Sequence, residues 1–277
     1  MSGGSRVWRR FRRNPVGMIA VFLLLATILI AVAAPLIAPY PTGYGEDLLV
    51  GPSGEHWFGT DDLGRDVLAE IVWGARISLL VGCAASALAI VIGVGVGLAA
   101  AYFRRLDTVL GMLVDLSLSL PVLPLMILVA ALVGPSVGSL VIVIGLFSWP
   151  EVARVVRSEA MAVVRLPYIE AAHLLGGSHS WIIWRHLLPA TAPVIAVAVV
   201  LTSARAVLSE AGLSFLGLGD ADAWSWGKIL HNAQMSGSLT TAWWTTLFPS
   251  AAILVLVVAA TLAAIAYDDA RNPRAPD

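Results

Sequence analysis

The stretch PYIEAAHLLGGSHSWIIWRHLLP, Pro167 to Pro189, is a polar, helix-prone island between two long apolar runs. Pro167 can open a helix, because the N–H it lacks would be unpaired there, and Pro189 suits the first turn of the helix that follows. Glu170-Ala171-Ala172 supplies strong helix formers, and Gly176-Gly177 turns the chain. Ile182, Ile183 and Leu187 then restore an apolar face at helical spacing. A helix–turn–helix this short cannot bury its own faces, so it is expected to dock on something.

Outward from this island the chain is apolar. Of 277 residues, 58% are hydrophobic and 13% charged. Soluble domains carry about 25% charged residues, so the composition is that of a polytopic membrane protein. The net charge of −1 gives no reason to expect nucleic acid. Cys83, the single cysteine, excludes an intrachain disulfide and a cysteine metal site. Six runs reach the roughly 20 apolar residues that cross a bilayer: 16–38, 77–102, 108–133, 138–157, 190–212 and 244–266. With the N-terminus in the cytoplasm, thirteen arginines fall inside (6, 9, 10, 12, 13, 104, 105, 154, 157, 165, 185, 271 and 274). Only Arg65, Arg76 and Lys228 fall outside, and Arg205 lies within a span. This positive-inside bias makes both termini and the 167–189 island cytoplasmic.

On these spans the chain divides into an N-terminal tail (1–15), a first transmembrane helix (16–38), an extracytoplasmic segment (39–76), a core (77–267) and a tail (268–277). The core includes a cytoplasmic segment, 158–189, and an outer hairpin, 213–243. The Arg-rich start also fits a cleavable leader, but its apolar run is long and continues into Pro35-Leu36-Ile37, so it is read as an uncleaved helix. Gly93-x-Gly95-x-Gly97 lies inside a membrane helix, where Gly93 and Gly97 form a small-xxx-small packing face rather than a nucleotide loop. Pro121 and Pro124 break the third run. His56, Asp61, Asp62 and Asp66 could suggest a metal, yet the aspartates are equally good turn and cap residues. Three ionisable residues within or near spans are candidates for a translocation pathway: Asp115, Arg205 and Glu210. Arg205 is expected to face a central cavity or to pair with an acid such as Glu210 or one on a partner. Trp224, Trp226, Trp243 and Trp244 fit an interfacial belt.

The order Glu170-Ala171-Ala172, three residues, Gly176, eleven residues, Leu188-Pro189 resembles the cytoplasmic loop of ABC-importer permease subunits. His56-Trp57-Phe58-Gly59-Thr60-Asp61-Asp62-Leu63-Gly64-Arg65-Asp66, and Leu213-Ser214-Phe215-Leu216-Gly217-Leu218-Gly219 with Ser225-Trp226-Gly227, resemble dipeptide, oligopeptide and nickel permeases. The match covers roughly residues 55–275. The tail at Asp268–Arg274 is similar but divergent. Where relatives carry a proline-containing turn, this chain has Asp220-Ala221-Asp222-Ala223.

The resemblance implies an all-α, six-helix, type I ABC-importer permease fold in the bacterial cytoplasmic membrane, without catalytic residues, metal or cofactor of its own. Glu170, Ala171, Ala172, Gly176, Leu188 and Pro189 would couple it to two ATPase domains, which hold ATP and Mg²⁺. A homologous sister permease and an extracytoplasmic substrate-binding protein would complete the importer. Peptide would cross by alternating access, and lipid would surround the spans. The competing class is a self-sufficient secondary transporter, which would leave the Glu-Ala-Ala loop unexplained.

Overall fold

The structure, a computed structural model, describes residues 3–271, so Asn272, Pro273 and Arg274 of the expected cytoplasmic tail lie outside the described residues. The elements are α1 (Gly3–Arg13), α2 (Pro15–Val32), α3 (Ala34–Ile37), α4 (Val67–Tyr102), α5 (Arg104–Ser119) and α6 (Val122–Val133). There follow α7 (Val137–Val164), α8 (Pro167–Leu174), α9 (His179–Ile182), a π turn (Ile183–Leu187), α10 (Leu188–Phe215), α11 (Trp226–Met235) and α12 (Trp243–Arg271). Among the described residues the only β pairing is an isolated bridge between Thr60 and Asp66. Five helices are long and apolar enough to cross a membrane, and the pair α5–α6 makes a sixth if counted as one broken span.

Packing register supports that sixth crossing. A Cβ added at Gly93 would meet Val152, one at Gly97 would meet Ala153 and Val156, and one at Gly145 would meet Leu88 and Ala85. Contacts that advance together on both helices mean that α4 and α7 run parallel. The chain between them must therefore return, and α5–α6 makes that return. Helix α10 runs the other way against α4, pairing Ser86 with Ser203 and Ser78 with Glu210. Close approach at Gly93 and Gly97 is the packing role their spacing suggests.

Five details differ from the sequence reading. Residues 3–13 of the tail are helical, and Asn14 caps α2 by accepting from the N–H groups of Val16 and Gly17. The third span is not a kinked rod: α5 and α6 meet at 85° across Leu120-Pro121. Pro121 breaks the ladder there, whereas Pro124 sits in the first turn of α6, where no N–H is needed. The fourth helix runs on to Val164, because helix formers continue past its charged residues. Pro189 stands in the first turn of α10, as its residue type suggests, but α10 does not start as a separate helix. Helix runs without interruption from His179 to Phe215, and a widened turn absorbs the proline. In it the Leu188 N–H bonds back to the Ile183 carbonyl, five residues earlier, one position before the residue that has no N–H to give.

The tryptophans form the fifth difference. Trp224, Trp226 and Trp244 are buried, and only Trp243 of the expected belt is exposed. Their indole N–H groups donate to Pro41 O (3.1 Å), Ile71 O (3.0 Å) and Thr60 O (3.0 Å), while that of Trp73 donates to Ala38 O (3.1 Å). Each joins distant parts of the chain, so the segment 38–73 and the 213–244 hairpin form one cap over the end of the bundle. Asp61 accepts from the N–H groups of Leu63 and Arg65, and Asp66 caps α4 at Leu68 and Ala69, the turn and cap roles their residue type suggests.

The opposite end of the bundle is held by contacts of its own. Phe11 of α1 packs on Ala266 and Ala270 of α12, and Arg271 reaches Glu159 of α7 at 3.7 Å. Helix α8 follows α7 at once. The described N-terminal helix, the end of α12 and the 167–187 segment thus share one end of the bundle.

Candidate functional site

Helix α8 is built by its ends. Pro167 opens it and Glu170 lies in its first turn, favourable against the positive helix terminus. At the other end Gly177 N–H donates to Ala172 O (3.0 Å) and Gly176 N–H to His173 O (2.9 Å), with Gly176 at φ +83°. This is a Schellman closure, which needs a left-handed residue beyond the cap. The two glycines serve different ends. A Cβ at Gly176 would meet open space, whereas one at Gly177 would lie 2.8 Å from the Ala172 carbonyl oxygen. Ser178 then caps α9, accepting from Trp181 N–H.

The segment folds back on the bundle through few groups. Ile169, Ala172 and Ile182 bury one another beside Tyr102, the last residue of α4. The Tyr102 hydroxyl lies 3.1 Å from His173 Nε2 and 2.9 Å from His179 Nδ1, joining both arms of the turn to α4. Neither histidine nor Tyr102 was singled out from the sequence; the signal available was an aromatic at the end of a span and two histidines six residues apart. Of the candidate coupling residues, Ala172 is buried inward, and Glu170, Ala171 and Gly176 are exposed. Leu188 and Pro189 lie beyond the π turn, where Leu188 packs with Leu187 into the α4–α7 core. The outward face is apolar: Leu174 and Leu175 are 83% and 88% exposed, with Tyr168, Trp181 and Trp184 also uncovered. Leucines so placed at the end of a bundle, outside its apolar belt, mark an interaction surface.

Ionisable groups gather along α7. Asp115 of α5 pairs with Arg154 (2.6 Å), Asp107 of α5 with Arg157 (2.6 Å), and Arg205 of α10 with Glu151. Glu151, Arg154 and Arg157 recur every third residue, so one face of α7 presents them in a row. The Asp115 and Arg205 pairs are about half exposed or more. Asp107 was not a candidate, since in sequence it resembles an ordinary first-turn acid. The expected Arg205–Glu210 pairing is replaced by Arg205–Glu151. Five residues along a helix put Glu210 on another face, where it is fully buried and accepts from Ser78 Oγ (2.9 Å) and Ser214 Oγ (2.7 Å). Glu210 therefore braces α4, α10 and the 213–243 hairpin, and faces no open surface.

Comparison with known proteins follows this geometry. Residues 89–275 match the family model described as binding-protein-dependent transport system inner membrane component. Residues 2–52 match the N-terminal TM domain of oligopeptide transport permease C. The dipeptide transport system permease protein DppC of Alkalihalophilus pseudofirmus is 35% identical over 99% of this chain and 91% of its own length. DppC of Bacillus subtilis is 34% identical over 96% of this chain and 84% of its own. A putative peptide transport system permease protein of Brucella abortus is 37% identical over 96% and 90%.

Proposed function

The chain belongs to the family of binding-protein-dependent transport system inner membrane components, and on that premise we propose that it is one membrane-spanning subunit of an ATP-driven importer of dipeptides or short oligopeptides. It is a multi-pass inner membrane protein and a transport component. In the proposed assembly it pairs with a homologous sister permease, receives peptide from an extracytoplasmic binding protein, and docks on two ATPase domains. ATP and Mg²⁺ belong to those domains and supply the hydrolysis.

The observation that carries this reading is the uncovered apolar face of the 167–187 segment. It sits at the same end of the bundle as the Arg-rich N-terminal helix, which the positive-inside rule assigns to the cytoplasm. Ala171 and Glu170 flank it with a small surface and a charge. Movement of α8 passes to α4 through Tyr102 and to α10 through α9, so closure of the ATPase domains tilts spans rather than the loop alone. Cargo then passes beside the α7 charge row, where the Asp115–Arg154 and Arg205–Glu151 pairs open and re-form as access alternates.

The test is a mild-detergent pull-down of the chain from its native membrane. The wild type is expected to bring down a homologous permease and a P-loop ATPase. Leu174→Asp with Leu175→Asp is expected to cut ATPase recovery at least tenfold while sparing the sister permease. Undiminished ATPase recovery in the double variant would remove the docking role, and repeated recovery of the chain alone would remove the importer.

A further inference from the structure

A cavity of ≈730 Å³ lies between α1, α2, α10 and α12, away from both the α7 charge row and the coupling segment. That size falls in the roughly 300–1,000 Å³ range of small-ligand sites. Trp8, Phe11, Leu24, Val200 and Tyr267 line it, and Arg271 is the only charged residue on its wall among the described residues. The groove is thus apolar along its depth and cationic at one end.

Helix α1 lies beside that cationic end. Its eleven residues, GGSRVWRRFRR, contain five arginines and no acid. Val7 and Phe11 face the bundle, whereas Arg9, Arg10, Arg12 and Arg13 are exposed and Arg12 lies over the Trp8 ring. A helix with one apolar stripe, a tryptophan and an arginine-rich opposite face lies in a membrane interface and attracts anionic headgroups. Asp268 and Asp269, exposed on α12, and Glu159, 3.7 Å from Arg271, offset part of this charge and leave it positive.

We infer that this groove is a binding site for an anionic phospholipid of the cytoplasmic leaflet, with acyl chain against α2, α10 and α12 and phosphate between Arg271 and the arginines of α1. The placement in that leaflet rests on the orientation proposed above. Charge complementarity selects this occupant. A membrane helix from another chain would fill the apolar wall but leave Arg271 and the arginine-rich helix beside it unanswered. A water-soluble anion would answer the arginines and leave the wall empty. A zwitterionic lipid would bring its own cation to the same place. Lipid held there would fasten the N-terminal helix to α10, the helix that leads out of the coupling segment.

The experiment is native mass spectrometry of the purified full complex after equilibration in nanodiscs of equal phosphatidylglycerol and phosphatidylcholine. Lipid retained through detergent extraction is expected to be enriched at least fivefold in phosphatidylglycerol. Arg271→Gln with Arg12→Gln is expected to bring that ratio close to one. Ala196→Trp, on the groove wall, is expected to remove the retained lipid altogether. Equal retention of the two lipids by the wild type would overturn the site without recourse to any variant. So would efficient cross-linking of Ala196→Cys, in a Cys83→Ser background, to the sister permease, because protein would then cover the groove. The subunits present in the same spectra report separately on the importer reading.

Discussion

Gly176 and Gly177 are adjacent in sequence and opposite in requirement. Gly176 needs a positive φ and has room, so Gly176→Asn is expected to be tolerated and Gly176→Ala to cost about 1 kcal/mol in the left-handed conformation. Gly177 needs space, so Gly177→Ala and Gly177→Asn are both expected to open the α8 cap. Thermal melting of the purified protein would show the contrast, and equal effects of the two asparagines would contradict it. His56 offers a second test, on the 38–66 loop. Its Nδ1 lies 3.0 Å from Asp66, and that bond raises its pKa above the ordinary histidine value. A raised folded pKa means the contact contributes fully below about pH 6.5 and is lost as pH rises through the folded value. NMR titration should place His56 above about 6.5, and Asp66→Asn, which still caps α4, should bring it down. At this scale the sequence was legible where local chemistry decides, as with the glycine turn and the Asp66 cap. It was silent on which acid meets Arg205, since that depends on the rotation of α7 against α10.

Two elements follow from their punctuation only in part. Proline marked the breaks at 121 and 189, but not that one would give an 85° corner and the other a π turn inside an unbroken helix. The difference lies in what surrounds each. The chain at Pro121 must turn back between two parallel helices, whereas Pro189 continues a helix already anchored by buried Leu187. The 167–187 segment itself was legible as helix, turn, helix from Pro167, the glycine pair and the apolar spacing. Its tether was not. Tyr102→Phe removes the hydroxyl between His173 and His179, a loss of about 1 kcal/mol for exposed hydrogen bonds. The expected signature is faster amide exchange across 167–182 with the membrane helices unchanged. Protection that stays as in the wild type would mean the apolar contact alone holds the segment.

For the whole molecule, hydropathy marked the apolar crossings, and packing register accounts for the one that is bent. Hydropathy could not give the tryptophan-bonded cap, because a buried tryptophan and an interfacial one look alike in sequence. The structure separates them. Trp226→Phe removes the bond from α11 to the Ile71 carbonyl, which keeps its own helical partner, and is expected to cost about 0.5–1.5 kcal/mol and to expose the 38–73 segment to protease. Trp243→Phe, with a ring 53% exposed, is expected to change stability by less than about 0.5 kcal/mol. Similar digestion of both variants would mean that the indole bonds do not hold the cap. One continuous helical run also joins the two ends of the bundle. The helix from His179 to Phe215 spans 37 residues, a rod of roughly 55 Å at 1.5 Å per residue. Turned by about 10° on its midpoint, such a rod carries each tip roughly 5 Å, in opposite senses. A rotation of that kind would displace the 179–182 turn and the Glu210 corner together, in opposite senses.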